Sequence, residues 1–237
     1  VQAEEKRMIS FITASAFFGP ALCIAAYMAG IAVRRRFPFA LCNPLLIAII
    51  LVIAVLSFFK IPYGSFEASA KYLSWWLTPA TVCLALPLYR ELETLRKNAA
   101  AIAAGITAGV AASAMSIFIM AWSLGTGRQL YVTLLPKSIT TAIGMGVSAE
   151  AGGIVTLTVA SIIITGIIGN IAAEPLLRLF GITEPVARGI AIGTSSHAIG
   201  TVKALEMGSV EGAMSSLAVA AAGLMTVIVV PLAAMLY

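Results

Sequence analysis

The sequence has few of the side chains on which metalloproteins and many soluble enzymes depend. It contains no aspartate, one histidine and three cysteines, and only 11% of its 237 residues are charged. The missing aspartate excludes any mechanism that needs an intramembrane Asp, such as cation exchange at paired aspartates. Cys23, Cys42 and Cys83 show no CxxC or Cys/His spacing, so we expect free, buried thiols. A single His with no Cys or Asp near it in the sequence does not make a metal site, and no cofactor is expected.

Apolar residues dominate what is present. They make up 60% of the chain, and the mean hydropathy is +1.02, which excludes an ordinary soluble domain. The net charge is +5, but the basic residues lie in short loops between apolar runs, where the positive-inside rule places them. No basic stripe with interleaved aromatics indicates a nucleic-acid partner. We therefore predict an all-α polytopic protein of the lipid bilayer.

About eight hydrophobic segments are long enough to be considered as membrane spans. They cover residues 11–33, 41–59, 72–89, 99–122, 130–147, 154–173, 185–205 and 212–236. Residues 60–71 are predicted to form a loop. Three arginines at 34–36 follow the first run, which predicts a cytoplasmic loop there and an N-terminus outside. No small-residue cleavage site follows that run, so no cleaved signal peptide is expected.

The two halves of the chain are similar to each other. In each half, a segment interrupted by Pro or Gly (72–89; 185–205) precedes a short charged loop and an Ala/Gly/Ser-rich span (99–122; 212–236). Such paired interruptions indicate a transporter site built from discontinuous helices, and chance similarity is the alternative. We predict one transmembrane domain over residues 1–237, with broken or re-entrant helices. Its repeat-like halves are roughly 11–122 and 129–237, and parallel and inverted repeats both stay open.

A charged and hydroxylated island interrupts the fifth run at Pro136. The residues that would share one face of a helix beginning there are Lys137, Thr140, Thr141 and Gly144. An unpaired lysine in hydrocarbon costs about 2.5–3.5 kcal/mol on insertion scales and must face a bundle interior or water. The freed N–H groups and the positive dipole end of a half-helix also favour an anion. The alternative is that Lys137 snorkels to the membrane interface.

A second polar island lies in the seventh run, at a predicted break between Gly193 and Gly200. Its polar residues are Thr194, Ser195, Ser196, His197 and Thr201, of which the first, fourth and fifth lie at i, i+3 and i+7. His197 can change charge near neutral pH, which makes it a candidate for proton coupling or for pairing with an anionic substrate. The alternative is a hydrogen-bonded packing residue.

We predict that the two breaks face each other and hold one small monocarboxylate. The predicted substrate-binding residues are Lys137, Ser138, Thr140, Thr141, Thr194, Ser195, Ser196, His197, Thr201 and Asn43. Asn43 stands before Pro44 and is first of all a predicted helix cap, with cavity lining as its second reading. Ser138 and Lys137 would point about 100 degrees apart on a helix, and no SxxK spacing occurs, so we predict no enzyme.

Five groups of residues occur in a distinctive order along the chain. They are Asn43-Pro44-Leu45-Leu46, Pro79-Ala80 with Pro87-Leu88-Tyr89, Leu135-Pro136-Lys137-Ser138-Ile139-Thr140-Thr141, Ala187-Arg188-Gly189 followed by residues 193–201, and Glu211-Gly212-Ala213-Met214-Ser215-Ser216-Leu217. Together they resemble the LrgB/CidB family over nearly the whole chain.

The resemblance implies a multi-pass protein of the bacterial inner membrane, or the C-terminal half of the related plastid glycolate/glycerate translocator. It also implies two functions. One is transport of small monocarboxylates such as pyruvate, glycolate or glycerate, and the other is holin/antiholin-like regulation of murein hydrolase activity and cell lysis. A membrane partner like LrgA or CidA is implied, and we expect a homo-oligomer, a dimer. The lysine and histidine beside paired breaks favour transport by alternating access, with lysis control as the alternative.

Overall fold

The computed structural model describes residues 13–37, 42–83 and 85–237, apart from the side chains of Leu77, Thr78, Thr81 and Leu88. Within these residues every regular element is a helix, which confirms the predicted all-α class. The chain divides into two compact units, Val1–Cys83 and Leu84–Tyr237. All predicted site residues except Asn43 lie in the second unit.

The described part of the first unit contains four helices. They are α1 (Phe18–Arg36), α2 (Pro44–Phe58), α3 (Tyr63–Ser74) and α4 (Leu77–Cys83). The predicted cap at Asn43 is confirmed, because its Oδ1 accepts the N–H groups of Leu45 at 2.9 Å and of Leu46 at 3.3 Å. The loop predicted at 60–71 is wrong: Pro62 is an extended N-cap, and α3 begins directly after it.

The three cysteines all belong to the first unit. Each is a free thiol, as expected. Cys23 and Cys42 are half-buried, but Cys83 is exposed at the end of α4, so the expectation of burial is wrong for that residue.

The second unit contains the longest helices. Its helices are α5 (Ala85–Arg90), α6 (Leu92–Lys97), α7 (Ala99–Leu124), α8 (Arg128–Leu134), α9 (Thr141–Glu150), α10 (Val155–Leu179), α11 (Pro185–Met207) and α12 (Ser209–Ala233). Among the described residues, α7, α10 and α12 are long and apolar enough to cross a membrane. At 1.5 Å per residue each is about 38 Å long, more than the roughly 30 Å of a hydrocarbon core. The membrane class is therefore supported, whereas the eight predicted spans and the two repeats are not confirmed.

The fifth predicted segment, 130–147, is not one helix. The turn at 135–140 separates α8 from α9, and it contains Pro136, which cannot donate to a helical hydrogen bond. The predicted break is thus present, but the next helix begins at Thr141 and not near Pro136. The prediction that Lys137 and Thr140 share a helical face with Thr141 is wrong, because the turn sets the directions of the first two.

Helix α12 packs along α11, α7 and α5, and small residues allow its close contact with α11. A Cβ atom on Gly189 would lie 2.5 Å from the carbonyl oxygen of Glu211, and one on Gly193 would meet that of Ser215. Such close backbone approach is typical of helix pairs in membranes. The buried core around this contact is Ile102, Ile106, Val110, Val186, Ile190, Ala213, Met214, Ala218 and Ala222.

Candidate functional site

A groove with a volume of about 780 Å³ runs between α7 and the first half of α11. Its polar lining residues are Asn98, Ser113, Ser116, Lys137, Ser138, Glu184, Thr194 and Ser195. A Cβ atom on Gly105 would lie 3.2 Å from Cγ2 of Ile190, and one on Gly109 would lie 2.8 Å from Oγ1 of Thr194. The two helices therefore approach each other closely at these glycines. The order of the two contacts also means that α7 and α11 run parallel along the groove.

Lys137 reaches the groove from the turn between α8 and α9. Its Nζ donates to Oγ of Ser138 at 3.1 Å, and that Oγ lies 3.1 Å from Oγ of Ser113 on α7. Among the described residues, the ion pairs do not include this ammonium group. An ammonium group has three N–H donors, so two of them are available to water or to an anion in the groove.

The position of Ser113 shows how deep the Lys137 ammonium lies. Ser113 is close to the middle of the 26-residue α7, within about 3 Å of its midpoint at 1.5 Å per residue. When α7 crosses a bilayer, the hydrogen-bonded chain from Ser113 through Ser138 to Lys137 lies near the centre. An ammonium group held there by the Ser138 hydroxyl, which is itself bonded to Ser113 on α7, then lies away from the interface, which disfavours the snorkelling alternative.

A buried cluster of hydroxyl groups fixes the turn that carries Lys137. Oγ1 of Thr158 on α10 donates to the carbonyl oxygen of Thr133 at 2.9 Å and lies 2.6 Å from Oγ of Ser148 on α9. Oγ1 of Thr133 accepts the N–H of Ile154 at 2.8 Å. Thr133, Ser148 and Thr158 are each 0% exposed. Because α8, α9 and α10 all contribute, the turn is anchored on both sides.

The second polar island faces two directions. Thr194 and Ser195 line the groove, and their hydroxyls donate to the α11 carbonyl oxygens of Ile190 and Ala191 at 2.8 Å and 2.7 Å. Ser196 and Thr201 are buried on the other side of the helix.

Ser196 lies against Gly169 of α10, whereas Oγ1 of Thr201 donates to the carbonyl oxygen of His197 at 3.0 Å and lies 2.8 Å from Oγ of Ser215 on α12. The predicted common face of Thr194, His197 and Thr201 is therefore wrong. It assumed an unbroken helix across residues 194–201.

Helix α11 is broken at His197, within the break predicted between Gly193 and Gly200. His197 has φ +42° and ψ −145°, a conformation that residues with a Cβ atom rarely adopt. Its ring donates from Nε2 to the carbonyl oxygen of Ile162 on α10 at 2.9 Å, and the side chain is 3% exposed. Nδ2 of Asn170 donates to the carbonyl oxygen of Ile199 at 2.8 Å. The histidine thus has the surroundings of a hydrogen-bonded packing residue and lies outside the groove lining.

The structure brings four of the ten predicted binding residues together in the groove: Lys137, Ser138, Thr194 and Ser195. The other six lie elsewhere. Ser196, His197 and Thr201 join helices, Thr140 and Thr141 begin α9, and Asn43 caps α2 in the first unit.

Sequence reasoning missed the hydroxyls of Ser113 and Ser116 in the groove lining. They lie in an Ala-rich span, and their i, i+3 spacing on the helical face of Gly105 and Gly109 was the available signal.

Known proteins match the chain over most of its length. The model of the LrgB-like family matches residues 23–236. A holin-like protein CidB of Staphylococcus aureus is 36% identical over 216 residues, which are 91% of this chain and 94% of that protein. An antiholin-like protein LrgB of Bacillus cereus is 33% identical over 221 residues, 93% of this chain and 96% of that protein. No solved structure matches.

Proposed function

Because this chain belongs to the LrgB-like family, we propose that it acts as a holin/antiholin-like protein in a bacterial inner membrane. The observation that carries the proposal is the similarity to proteins named holin-like and antiholin-like, over more than 90% of the chain. In this function the protein promotes or restrains membrane lesions and thereby controls murein hydrolase activity and lysis. These names favour the function that the sequence analysis ranked as the alternative to transport.

The proposal includes a membrane partner of the LrgA or CidA type and a homodimer. A protein that forms or restrains lesions must associate with other helices inside the bilayer, where packing and polar contacts hold helices together. The exposed face of α7 presents large apolar side chains, including Met115, Ile119 and Trp122. Such a face is compatible with lipid and with a neighbouring membrane helix.

Expression in a bacterium from which its own family members have been deleted tests the lysis function. We expect the chain to change the rate of autolysis and the release of a cytoplasmic enzyme, measured against an unrelated multi-pass protein at equal abundance. Co-expression of an LrgA- or CidA-type protein should alter the effect. Autolysis equal to that of the control protein, with and without the partner, would rule out the proposal.

Transport of small monocarboxylates is a second candidate, and one observation favours it. The Lys137 ammonium lines the groove beside the hydroxyls of Ser113 and Ser138, with two N–H donors available. A cation with adjacent hydroxyl groups fits a carboxylate that also carries a hydroxyl or keto oxygen. His197 no longer supports this candidate, because its ring is bonded to the Ile162 carbonyl.

Uptake of labelled pyruvate, glycolate and glycerate into liposomes that contain the purified chain tests the second candidate. We expect Lys137→Met to abolish uptake, since it removes the cation and keeps the length of the side chain. Lys97→Met is the matched control, because that exposed lysine pairs with Glu93 at 2.7 Å and lies outside the groove lining. Equal uptake by both variants would remove Lys137 from the site, and no uptake of any of the three acids would reject transport by the chain alone.

A further inference from the structure

The two ends of the groove differ in chemistry and in depth. One end has Asn98 and the exposed Glu184, which stand immediately before α7 and α11. The other end has Lys137 with Ser138 and Ser113. Residues 98–113 of a helix span about 22 Å at 1.5 Å per residue. The groove therefore extends from the first end of α7 to the middle of that helix, over one half of the membrane.

Three aromatic rings pack together beside the second half of α7. Phe118, Tyr131 and Tyr237, which we call the aromatic layer, contact one another with ring centroids 4.8–6.3 Å apart. The hydroxyl of Tyr131 donates to the carbonyl oxygen of Ala233, and that of Tyr237 to the carbonyl oxygen of Ala121, both at 3.1 Å. Phe118 comes after Ser116 on α7, and Tyr131 on α8 comes before Lys137. The aromatic layer therefore lies beyond the inner end of the groove.

Buried apolar residues fill the space around the aromatic layer. Ile117, Val132, Leu135 and Val230 belong to this cluster, and Tyr131 is 1% exposed. In the described part of the chain, this packed cluster lies between Lys137 and the second end of α7. The two sides of Lys137 along the membrane normal are therefore unlike: one is a groove with hydroxyl groups and the other is a packed apolar layer.

The charge on Lys137 requires contact with water or an anion. In hydrocarbon, ionised residues face a bundle interior or a water-filled cavity. The side chains of Ala101, Ala112 and Ser116 are exposed in the groove, so its lining is accessible along the length of that half of α7. We therefore expect water to reach the ammonium group along the groove.

We propose that the groove is a water-filled vestibule that opens on the side of the membrane where α7 begins, ends at Lys137, and is sealed from the opposite side by the aromatic layer. Three basic residues, Arg90, Arg96 and Lys97, precede α7, so that side is the cytoplasm by the positive-inside rule. The vestibule does not depend on whether the chain controls lysis or transports an acid. Transport of an acid through the groove requires the aromatic layer to open.

Cysteine accessibility in the full chain tests the vestibule. Cys23, Cys42 and Cys83 are first replaced by alanine, and single cysteines are introduced by Ala101→Cys, Ala112→Cys or Ser116→Cys. Met115→Cys and Met120→Cys are matched controls on the same helix, because these residues are 58% and 53% exposed but do not line the groove. Lys97→Cys and Gln129→Cys mark the two membrane sides, before and after α7. A membrane-impermeant thiol reagent is applied to sealed vesicles of each orientation.

The three groove cysteines are expected to react only from the side on which Lys97→Cys reacts, while the two methionine controls stay unlabelled. Groove cysteines as unreactive as the controls would mean that lipid or protein fills the groove, and the vestibule would be rejected. Reaction from both sides would describe an open pore, and the seal would be rejected.

The seal is tested by adding Phe118→Ala to the Ser116→Cys chain. We expect the cysteine then to react from the Gln129 side as well, and Phe118→Tyr, which keeps a ring, to preserve one-sided labelling. If Ser116→Cys still reacts from one side only in a folded Phe118→Ala chain, the Phe118 ring is not part of the seal. Gel filtration in detergent and the two side markers check folding, and Tyr237→Ala replaces Phe118→Ala if that variant misfolds, with the same two outcomes.

Discussion

Two residues with similar positions in the sequence, Lys137 and His197, have opposite surroundings in the structure. Lys137 and His197 are both ionisable groups beside helix breaks in apolar runs. The Lys137 ammonium donates to Ser138 and borders the groove, whereas the His197 ring is buried and bonded to the neighbouring helix. The difference arises from direction, because the break turns the histidine toward α10. At the residue scale, the chemistry of the groove therefore depends on Lys137.

A matched pair of substitutions at His197 isolates the strain in its backbone. His197→Gly and His197→Ala both lose the ring and its bond to the Ile162 carbonyl, but only alanine keeps a Cβ atom at φ +42°. A residue held in such a region costs on the order of 1–3 kcal/mol, and glycine avoids most of that cost. We expect both variants to unfold at a lower temperature than the parent in detergent, and glycine to be the more stable of the two. If the alanine variant is as stable as the glycine variant, the prediction of backbone strain at His197 is wrong.

Helix elements depend on backbone contacts that only small residues permit. A Cβ atom on Gly193 of α11 would meet the carbonyl oxygen of Ser215 and lie 2.8 Å from Cβ of Ala218 on α12. Backbone atoms cannot swing away as the end of a long side chain can. The pairing of α11 with α12, which positions one wall of the groove, is therefore sensitive to a single methyl group.

The glycine pair Gly193→Ala and Gly146→Ala tests this packing. Overpacking costs about 1–3 kcal/mol, so we expect Gly193→Ala to lower the thermal stability in detergent. Gly146 of α9 has no atom within 4 Å of a Cβ position, so its change to alanine should be neutral or should stabilise the helix by up to about 1 kcal/mol. Equal melting temperatures for the two variants would mean that α11 can move away from α12 at little cost.

Isosteric removal of one hydroxyl tests the cluster that holds the Lys137 turn. Thr158→Val keeps the shape of the side chain but leaves the Thr133 carbonyl and the Ser148 hydroxyl without this partner. Unsatisfied buried groups cost about 1–3 kcal/mol each, so we expect a clear loss of stability in a detergent melt. Thr107→Val is the control, since that exposed hydroxyl bonds only to the Ala103 carbonyl of its own helix. If Thr158→Val lowers the stability no more than Thr107→Val does, the hydroxyl cluster does not stabilise the fold.

Some elements could be predicted from the sequence because a local group determines them. Pro136 lacks an N–H group and breaks the fifth segment, and Asn43 before Pro44 begins α2. The direction of His197 could not be predicted, since it follows from the φ of one residue and from Ile162, 35 positions away. Ser113 was missed for a related reason, because its role depends on Ser138 in another element.

At the scale of the whole molecule, the chain separates into units that composition does not reveal. The boundary lies between Cys83 and Leu84, in a region as apolar as its neighbours. Unit boundaries depend on which helices touch, and that information is long-range. The positive charges that set orientation, by contrast, are local in sequence.

The positive-inside rule predicts that the arginines at the end of α1 and the basic residues before α7 lie on one side of the membrane. We expect Arg36→Cys and Lys97→Cys to react with an impermeant reagent from the cytoplasmic side, and Gln129→Cys from the opposite side. The measurement uses whole cells and inverted vesicles. The predicted orientation places the N-terminus outside. Labelling of Arg36→Cys and Lys97→Cys from different sides of the membrane would contradict it.

The break at His197 divides the hydrogen-bond ladder of α11 into two lengths. Both lengths contact α12, but the first also packs on α7, whereas the second is joined to α10 by the Asn170 amide and by the ion pair of Lys203 with Glu174 at 3.0 Å. We therefore expect amide protons on the two sides of the break to belong to separate cooperative units in hydrogen exchange. The half that lines the groove should open to exchange while residues 198–207 stay protected, so that one wall of the groove moves without melting the whole helix.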